Sequence, residues 1–195
     1  MSGFDAVVVG ADGLPRCPWL GLTDPLYASY HDTEWGEPVH GDRALLERLC
    51  LEAFQSGLSW ITILRKRPAF REAFGGFEPE VVAGFGSDDV ERLLQDASIV
   101  RNRRKIEAAV ANARATLALG AGGLDALVWD YRAKVDRPRP RRVVDVPSST
   151  AASAELAGRL KQAGFAHLGP TTVYAALQAC GVVDDHLVGC HRATG

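Results

Sequence analysis

From residue 24 onward the apolar positions recur at the three- and four-residue spacings of a helix, and strand-like alternation is scarce. Asp24 followed by Pro25 reads as an N-cap and a first helical position. A second helix spans about Asp42 to Gln55. There Leu45, Leu46, Leu49, Cys50 and Ala53 trace one face, and Gly57 stops it. A third begins at Ser87, with Asp88 and Asp89 in the first turn, where carboxylates complement the helix dipole. An alanine-rich fourth runs from about Asn102 to Leu119 and ends in Gly120–Gly123. Residues 134–148 are rich in proline and charge and read as a loop or crossover. Ser149 or Thr150 then caps a helix to about Ala163. Gly164 ends it, and Pro170 opens another that stops at Gly181. The best strand signal, Val143 to Val146, is weak. The pattern predicts an all-α fold.

A length of 195 residues with 47% apolar content suits one large domain or two small lobes with a real core. Twenty-two basic and 24 acidic side chains give a formal charge of −2, which excludes a uniformly basic coat for nucleic acid but not a local patch. The longest stretch without a formal charge, Gln162 to Val183, contains Gln, His, Thr, Gly and Pro and does not read as a membrane span. The opening MSGFDAVVVGADG lacks a basic leader, and Asp5 breaks its apolar run, so no signal peptide is expected and a cytoplasmic location follows. Its VVVGADG resembles a nucleotide loop only in part, because the glycine pattern is incomplete and no helix pattern follows. Residues 1–15 read as an N-terminal extension. Of the four cysteines, Cys50 and Cys180 sit in apolar helical contexts as small hydrophobes, and a reducing compartment disfavours disulfides.

Four groups of residues carry possible chemistry. Cys17, His31, His186 and Cys190 make a two-thiolate, two-imidazole set suited to structural zinc, joining the N- and C-terminal regions, with His191 as a rival ligand. Glu52 falls roughly 20° outside Leu45 on the second helix, so its carboxylate is either half-buried or faces a pocket. Trp19, Tyr27, Tyr30, Trp35 and Trp60 crowd the first third of the chain. They suit either a core or a pocket for a planar ligand. Two basic runs, Arg101, Arg103, Arg104 and Lys105, then Arg132, Lys134, Arg137, Arg139, Arg141 and Arg142, form either solvated faces or phosphate contacts. The turn between Gly164 and Thr171 adds backbone N–H groups at a helix start, where a phosphate fits.

The strings RCPW at 16–19, YHDTEWG at 30–36, CLEAFQSGLSWITIL at 50–64 and DDHLVGC at 184–190 resemble, in order, the type I 3-methyladenine DNA glycosylases. The resemblance covers about residues 16–192, so 16–195 would be the glycosylase domain. It implies a helix-hairpin-helix glycosylase fold with a structural zinc clip on Cys17, His31, His186 and Cys190. It implies a base pocket built on Glu52 and Trp60, with Tyr27, Tyr30 and Trp35 around them, and a hairpin at Gly164–Thr171 that meets DNA through Gly169 and Thr171. The family lacks the aspartate that many related glycosylases carry after the second hairpin helix. Here Asp184 and Asp185 stand close to that place, and Asp184 receives no catalytic role.

The implied partner is duplex DNA carrying adenine methylated at N3, bound by a monomer. The base would flip into the pocket, with Leu58, in the turn Gly57-Leu58-Ser59, as the wedge. Trp60 would stack on the cationic base and Glu52 would accept its hydrogen bonds. Rival readings are a damage-binding protein that releases no base, a structural zinc-clipped module, and a zinc deaminase. The last needs a C-x-x-C that the chain lacks.

Overall fold

The computed structural model describes residues 6–19, 23–134 and 138–193. Of the second basic run, Arg137 lies outside the described residues, as does the side chain of Lys134. The described residues are mostly helical, as the periodicity predicts. Helices α1 (Pro25–Thr33), α2 (Asp42–Gln55), α3 (Trp60–Ala73), α4 (Pro79–Ala83) and α5 (Ser87–Gln95) form the first half. They are followed by α6 (Arg103–Ala118), α7 (Gly123–Trp129), α8 (Ala151–Gln162) and α9 (Pro170–Ala179).

Helix α2 is the centre of the molecule, packed by α3, α6, α7 and α9. The five positions assigned to its apolar face are buried, and so are Leu51, Phe54, Glu47 and Glu52. A helix enclosed on several sides has no solvent face where Glu52 lies, so a residue at the edge of an apolar arc becomes an interior one. The start of α2 is tied to that of α7: Asp42 accepts from the Gly122 and Asp125 amides at 2.8 and 2.9 Å. Asp42 thus caps α7 rather than its own helix.

Three helices carry little signal in the sequence. Helix α3 is interrupted in pattern by Arg65, Lys66 and Arg67 and carries Pro68 in its interior, while α4 and α7 are short. The weak strand signal at Val143 to Val146 gives no strand, in keeping with the loop read at 134–148. Val143–Asp145 is a single 3-10 turn with Val143 and Val144 exposed, so the β-branched run marks surface rather than sheet. The strands among the described residues, β1 (Val8–Val9) and β2 (Pro15–Arg16), pair antiparallel as a small hairpin around the Gly-Ala-Asp-Gly turn.

Helices α8 and α9 pack against each other as a hairpin. Thr150 caps α8 by accepting from the Ser153 amide, as its position suggests. At the other end Gly164, at φ 97°, completes a Schellman turn. The Phe165 amide reaches the Leu160 carbonyl, and the Gly164 amide reaches that of Lys161. Buried Asn112 on α6 accepts from the Ala166 amide at 2.7 Å, which fastens the hairpin turn to the core.

Candidate functional site

Helices α1, α2 and α9, the start of α3 and the segments around Val143 and Asp185 surround a cavity of about 280 Å³. It is lined by Trp19, Tyr27, Tyr30, Trp35, Glu52 and Trp60, with Gln55, Gln178 and Asp185 adding polar groups. The aromatic residues singled out in the sequence therefore meet in one place. Trp19 lies 5.3 Å from Tyr27 and 4.7 Å from Trp35 between ring centres, and Tyr30 lies 5.4 Å from Trp60.

Glu52 is the single carboxylate that α2 points into this cavity. It is 7% exposed, and burial pushes its pKa up to about 8, with the Arg48 cation one turn earlier opposing that rise. Among the described residues no group donates a hydrogen bond to it. Burial also raises Tyr30 well above the usual phenol range, and the nearby Glu52 raises it further. The Trp60 Nε1 is buried without an acceptor among the described residues. The cavity wall thus holds a carboxyl without donors, an indole N–H without an acceptor, and several flat rings. Such a wall suits a planar ligand with polar edges.

Asp185 and Gln178, which line the cavity, are not singled out as pocket residues in the sequence, nor are Tyr174, which bonds Asp185, and Arg48, which lies near Glu52. Asp185 Oδ2 accepts from Tyr174 Oη at 2.6 Å and Gln178 Nε2 at 2.7 Å. Two of these three lie at the i, i+4 spacing on α9, a periodicity visible in the sequence that points nowhere without the third. Asp184 turns elsewhere: it accepts from the His186 amide and from Arg139 at 2.7 Å and does not line the cavity.

Beside the pocket, Cys17, His31, His186 and Cys190 gather with all four ligand atoms within 4.8 Å of one another, a group that could hold a metal ion. Cys190 Sγ stands 3.6 Å from His31 Nε2 and 3.5 Å from His186 Nδ1, and Cys17 Sγ stands 3.8 Å from His186 Nδ1. The outer nitrogens are engaged as well. His186 Nε2 bonds the Trp35 carbonyl at 3.1 Å, and His31 Nδ1 bonds Asp32 at 2.8 Å. Those bonds leave the inward nitrogens with their lone pairs free to ligate. The hydrogen bond between the thiols, with burial, pushes Cys17 up, and the same bond, with both imidazoles, pulls Cys190 down. His191, the rival ligand, bonds Asp32 at 2.9 Å and stands outside the set of four. Burial works to raise Asp32, but its bonds from Arg16, His31 and His191 hold it well below the usual carboxylate range.

Leu58 is 40% exposed at the rim, between the lining residues Gln55 and Trp60. Its turn is closed by the Leu58 amide to the Gln55 carbonyl and by Gln55 Nε2 to the Leu58 carbonyl, both at 2.7 Å. Lys105 does not face solvent with its basic neighbours. It is buried and donates to the Phe54 and Ser56 carbonyls at 2.8 and 2.6 Å, capping α2 just before that turn. Arg103 pairs with Glu91, and Arg132 donates to the Gly181 carbonyl. Gly169 and Thr171 are exposed at the start of α9.

A family model described as methyladenine glycosylase matches residues 19–193. The chain is 44% identical over 180 residues to DNA-3-methyladenine glycosylase 1 of Escherichia coli (strain K12), covering 91% of this chain and 96% of that one. It is 42% identical to the DNA-3-methyladenine glycosylase of Haemophilus influenzae, covering 90% and 96%. A crystal structure of a 3-methyladenine DNA glycosylase I superimposes with a TM-score of 0.87 at 44% identity, over 92% of this chain and all of that one. A variant of such an enzyme in complex with 3-methyladenine superimposes with a TM-score of 0.82 at 37% identity, over 90% and 96%.

Proposed function

The chain belongs to the methyladenine glycosylase family, and we propose that it excises 3-methyladenine from alkylated DNA by hydrolysing the N-glycosidic bond, opening base excision repair. The observation that carries this reading is the aromatic cavity with one deeply buried, undonated carboxyl, Glu52.

A 3-methyladenine nucleotide carries positive charge on its base. When the C1′–N9 bond breaks, the bonding pair moves onto the ring and the base departs neutral. Water adds to C1′ and gives its proton to solvent. The leaving group needs no protonation, so the protein's work is to extract, recognise and shield.

Extraction costs a few kcal/mol. Leu58, solvent-facing at the rim on a turn braced by Gln55 and Lys105, is placed to fill the gap the base leaves. Gly169 and Thr171 open α9 toward solvent, where backbone amides at a helix start suit a phosphate. Inside, Trp60 stacks on the base; a cation over an indole gains about 0.5–2 kcal/mol, which neutral adenine forgoes. Tyr27, Tyr30 and Trp35 complete the walls.

Glu52 supplies the second discrimination. With its pKa pushed up to about 8 by burial, it is mostly protonated at neutral pH. A cationic base brought against it favours the carboxylate, which then accepts hydrogen bonds from the base edge. Neutral adenine offers no such compensation and meets a carboxyl whose ionisation is unfavourable. Charge therefore selects as well as shape.

The metal group is read as a structural zinc site. Zinc with sulfur at about 2.3 Å and nitrogen at about 2.0–2.1 Å in a tetrahedron requires S···N edges of about 3.5 Å. The three edges at 3.5, 3.6 and 3.8 Å fit that set. Cys17, His31, His186 and Cys190 would fill all four positions and leave none for substrate, so the bound ion would tie the two ends of the domain together without entering the reaction. Residues 16–195 are read as the glycosylase domain and 1–15 as an extension. The protein is read as a cytoplasmic monomer; no helix among the described residues is long and apolar enough to cross a membrane.

The test is base release. Methylated duplex DNA is incubated with the protein and with Glu52→Ala, and free bases are separated by chromatography. Release of 3-methyladenine that disappears in the variant is expected. A folded wild-type protein that binds the DNA and releases nothing would refute catalysis and leave a damage-binding protein.

A further inference from the structure

A second concavity of about 390 Å³ opens on the proline-rich segment, lined by Pro138, Arg139, Pro140, Arg141, Asp145 and Pro147. It belongs to the same loop as the base pocket's wall, since Val143 and Val146 line that pocket while Asp145 between them lines this groove. Resting on the glycosylase reading, we propose that this groove holds the sugar–phosphate backbone of the lesion strand next to the flipped nucleotide, with Arg141 on a phosphate.

The charges in the loop are sorted in a way that singles out Arg141. Arg139 donates to Asp184 at 2.7 Å and to the His186 carbonyl at 3.1 Å. Arg142 is paired with Asp145 at 2.8 Å, which also neutralises the groove's one carboxylate. Arg141 is exposed, and while its backbone faces Asp145, its guanidinium makes no hydrogen bond or ion pair among the described residues. An unengaged guanidinium beside a base pocket, with the local acid already paired, matches a phosphate. The apolar side matches deoxyribose: three prolines line the groove, and in the same loop Val143 and Val144 stand 45% and 70% exposed.

The loop is also fixed before any ligand arrives. The Val188 amide donates to the Pro140 carbonyl at 2.9 Å, and Arg139 bonds two points of the 184–186 segment. The groove is thus held at a set distance from the pocket, as a backbone leaving a flipped nucleotide requires. A protein partner would meet the same prolines but would not require an unpaired cation.

The experiment measures binding of the full-length protein to a duplex with an abasic-site analogue, over a range of salt, for wild type, Arg141→Ala and Arg141→Lys. Each phosphate contact contributes about one unit to the slope of log K against log salt. Arg141→Ala should reduce the slope by about one and weaken binding several-fold, Arg141→Lys should restore the slope, and binding of free 3-methyladenine should stay at the wild-type level in both. A wild-type slope in Arg141→Ala overturns the proposal while base release by the same protein still stands. Loss of free-base binding in Arg141→Ala overturns it too, because the residue would then support the pocket. Absence of base release by the wild type overturns the glycosylase reading and the proposal with it.

Discussion

Replacing Glu52 by glutamine should make the protein more stable while removing its activity, and the size of the gain should depend on pH in a defined way. The ordinary glutamate pKa is 4.5 and burial carries Glu52 to about 8 in the folded protein. Below about pH 4.5 the carboxyl is protonated both folded and unfolded, so its titration contributes nothing. Between those two values the unfolded chain ionises while the folded protein stays protonated. Each pH unit across that window costs the folded state about 1.4 kcal/mol. Above about 8 both states are ionised and the penalty is constant.

Glutamine has the same shape and does not titrate. Urea unfolding of wild type and Glu52→Gln should therefore give nearly equal stabilities at pH 4.5, a gap of about 3 kcal/mol at pH 7, and a plateau on the order of 5 kcal/mol at pH 9. The variant should release no 3-methyladenine at any of these values. A gap that stays flat with pH would refute the reasoning, because Glu52 would then titrate as a hydrated carboxylate and could not select a base by charge. A stabilised but inactive variant is the outcome expected where a group is held in an unfavourable state for use.

Three further outcomes follow. Cys17→Ala should lower thermal stability and bound zinc together, read by a melting curve and by elemental analysis; a full metal load would remove Cys17 from the ligand set. Asn112→Leu should cost about 2 kcal/mol in chemical denaturation, because the Ala166 amide would lose its 2.7 Å acceptor inside the core; an unchanged midpoint would mean that water replaces the bond. Leu58→Ala should slow excision from duplex DNA by about tenfold or more while binding free 3-methyladenine normally, since the side chain faces solvent at the rim; loss of free-base binding would instead make it part of the pocket.

What could be read from the sequence, and what could not, divides by range. Caps and stops act within four residues, so the ends of α8 and the start of α9 were legible from Thr150, Gly164 and Pro170. The face of α2 was legible because helical periodicity is local. Glu52 was suspected from its angle on that helix, but its depth depends on α1 and α9 closing over it. Lys105 shows the opposite case. It stands in a basic run, yet its partners are carbonyls at positions 54 and 56, some fifty residues back, and nothing near it in sequence announces a cap. The weak strand signal of Val143 to Val146 comes to nothing for a related reason. β-branched residues favour strands only where a neighbouring strand is available, and here the loop is pinned instead by Pro140 and Arg139 to the chain near His186.

The distribution of buried polar atoms argues for where the molecule does its work. Away from the cavity, the fully buried polar side chains of the core are engaged, Asn112 with Ala166, Ser153 with Thr150, Lys105 with two carbonyls and His31 with Asp32, although Arg192 Nε near the C-terminus finds no partner among the described residues. Among the described residues, Glu52 and Trp60 Nε1 on the cavity wall find no hydrogen-bond partner, and Arg48, one turn from Glu52 but not lining the cavity, leaves its Nη1 unmatched. An unmatched buried polar group costs about 1–3 kcal/mol. Glu52 and Trp60 on the cavity wall, with Arg48 one turn behind, are a local concentration of unfavourable energy among the described residues. A ligand that brings a donor and a positive charge to Glu52 relieves part of that cost only when it is bound. Affinity of this origin depends on the ligand's charge, and that is the property separating a methylated adenine from the great excess of ordinary bases around it.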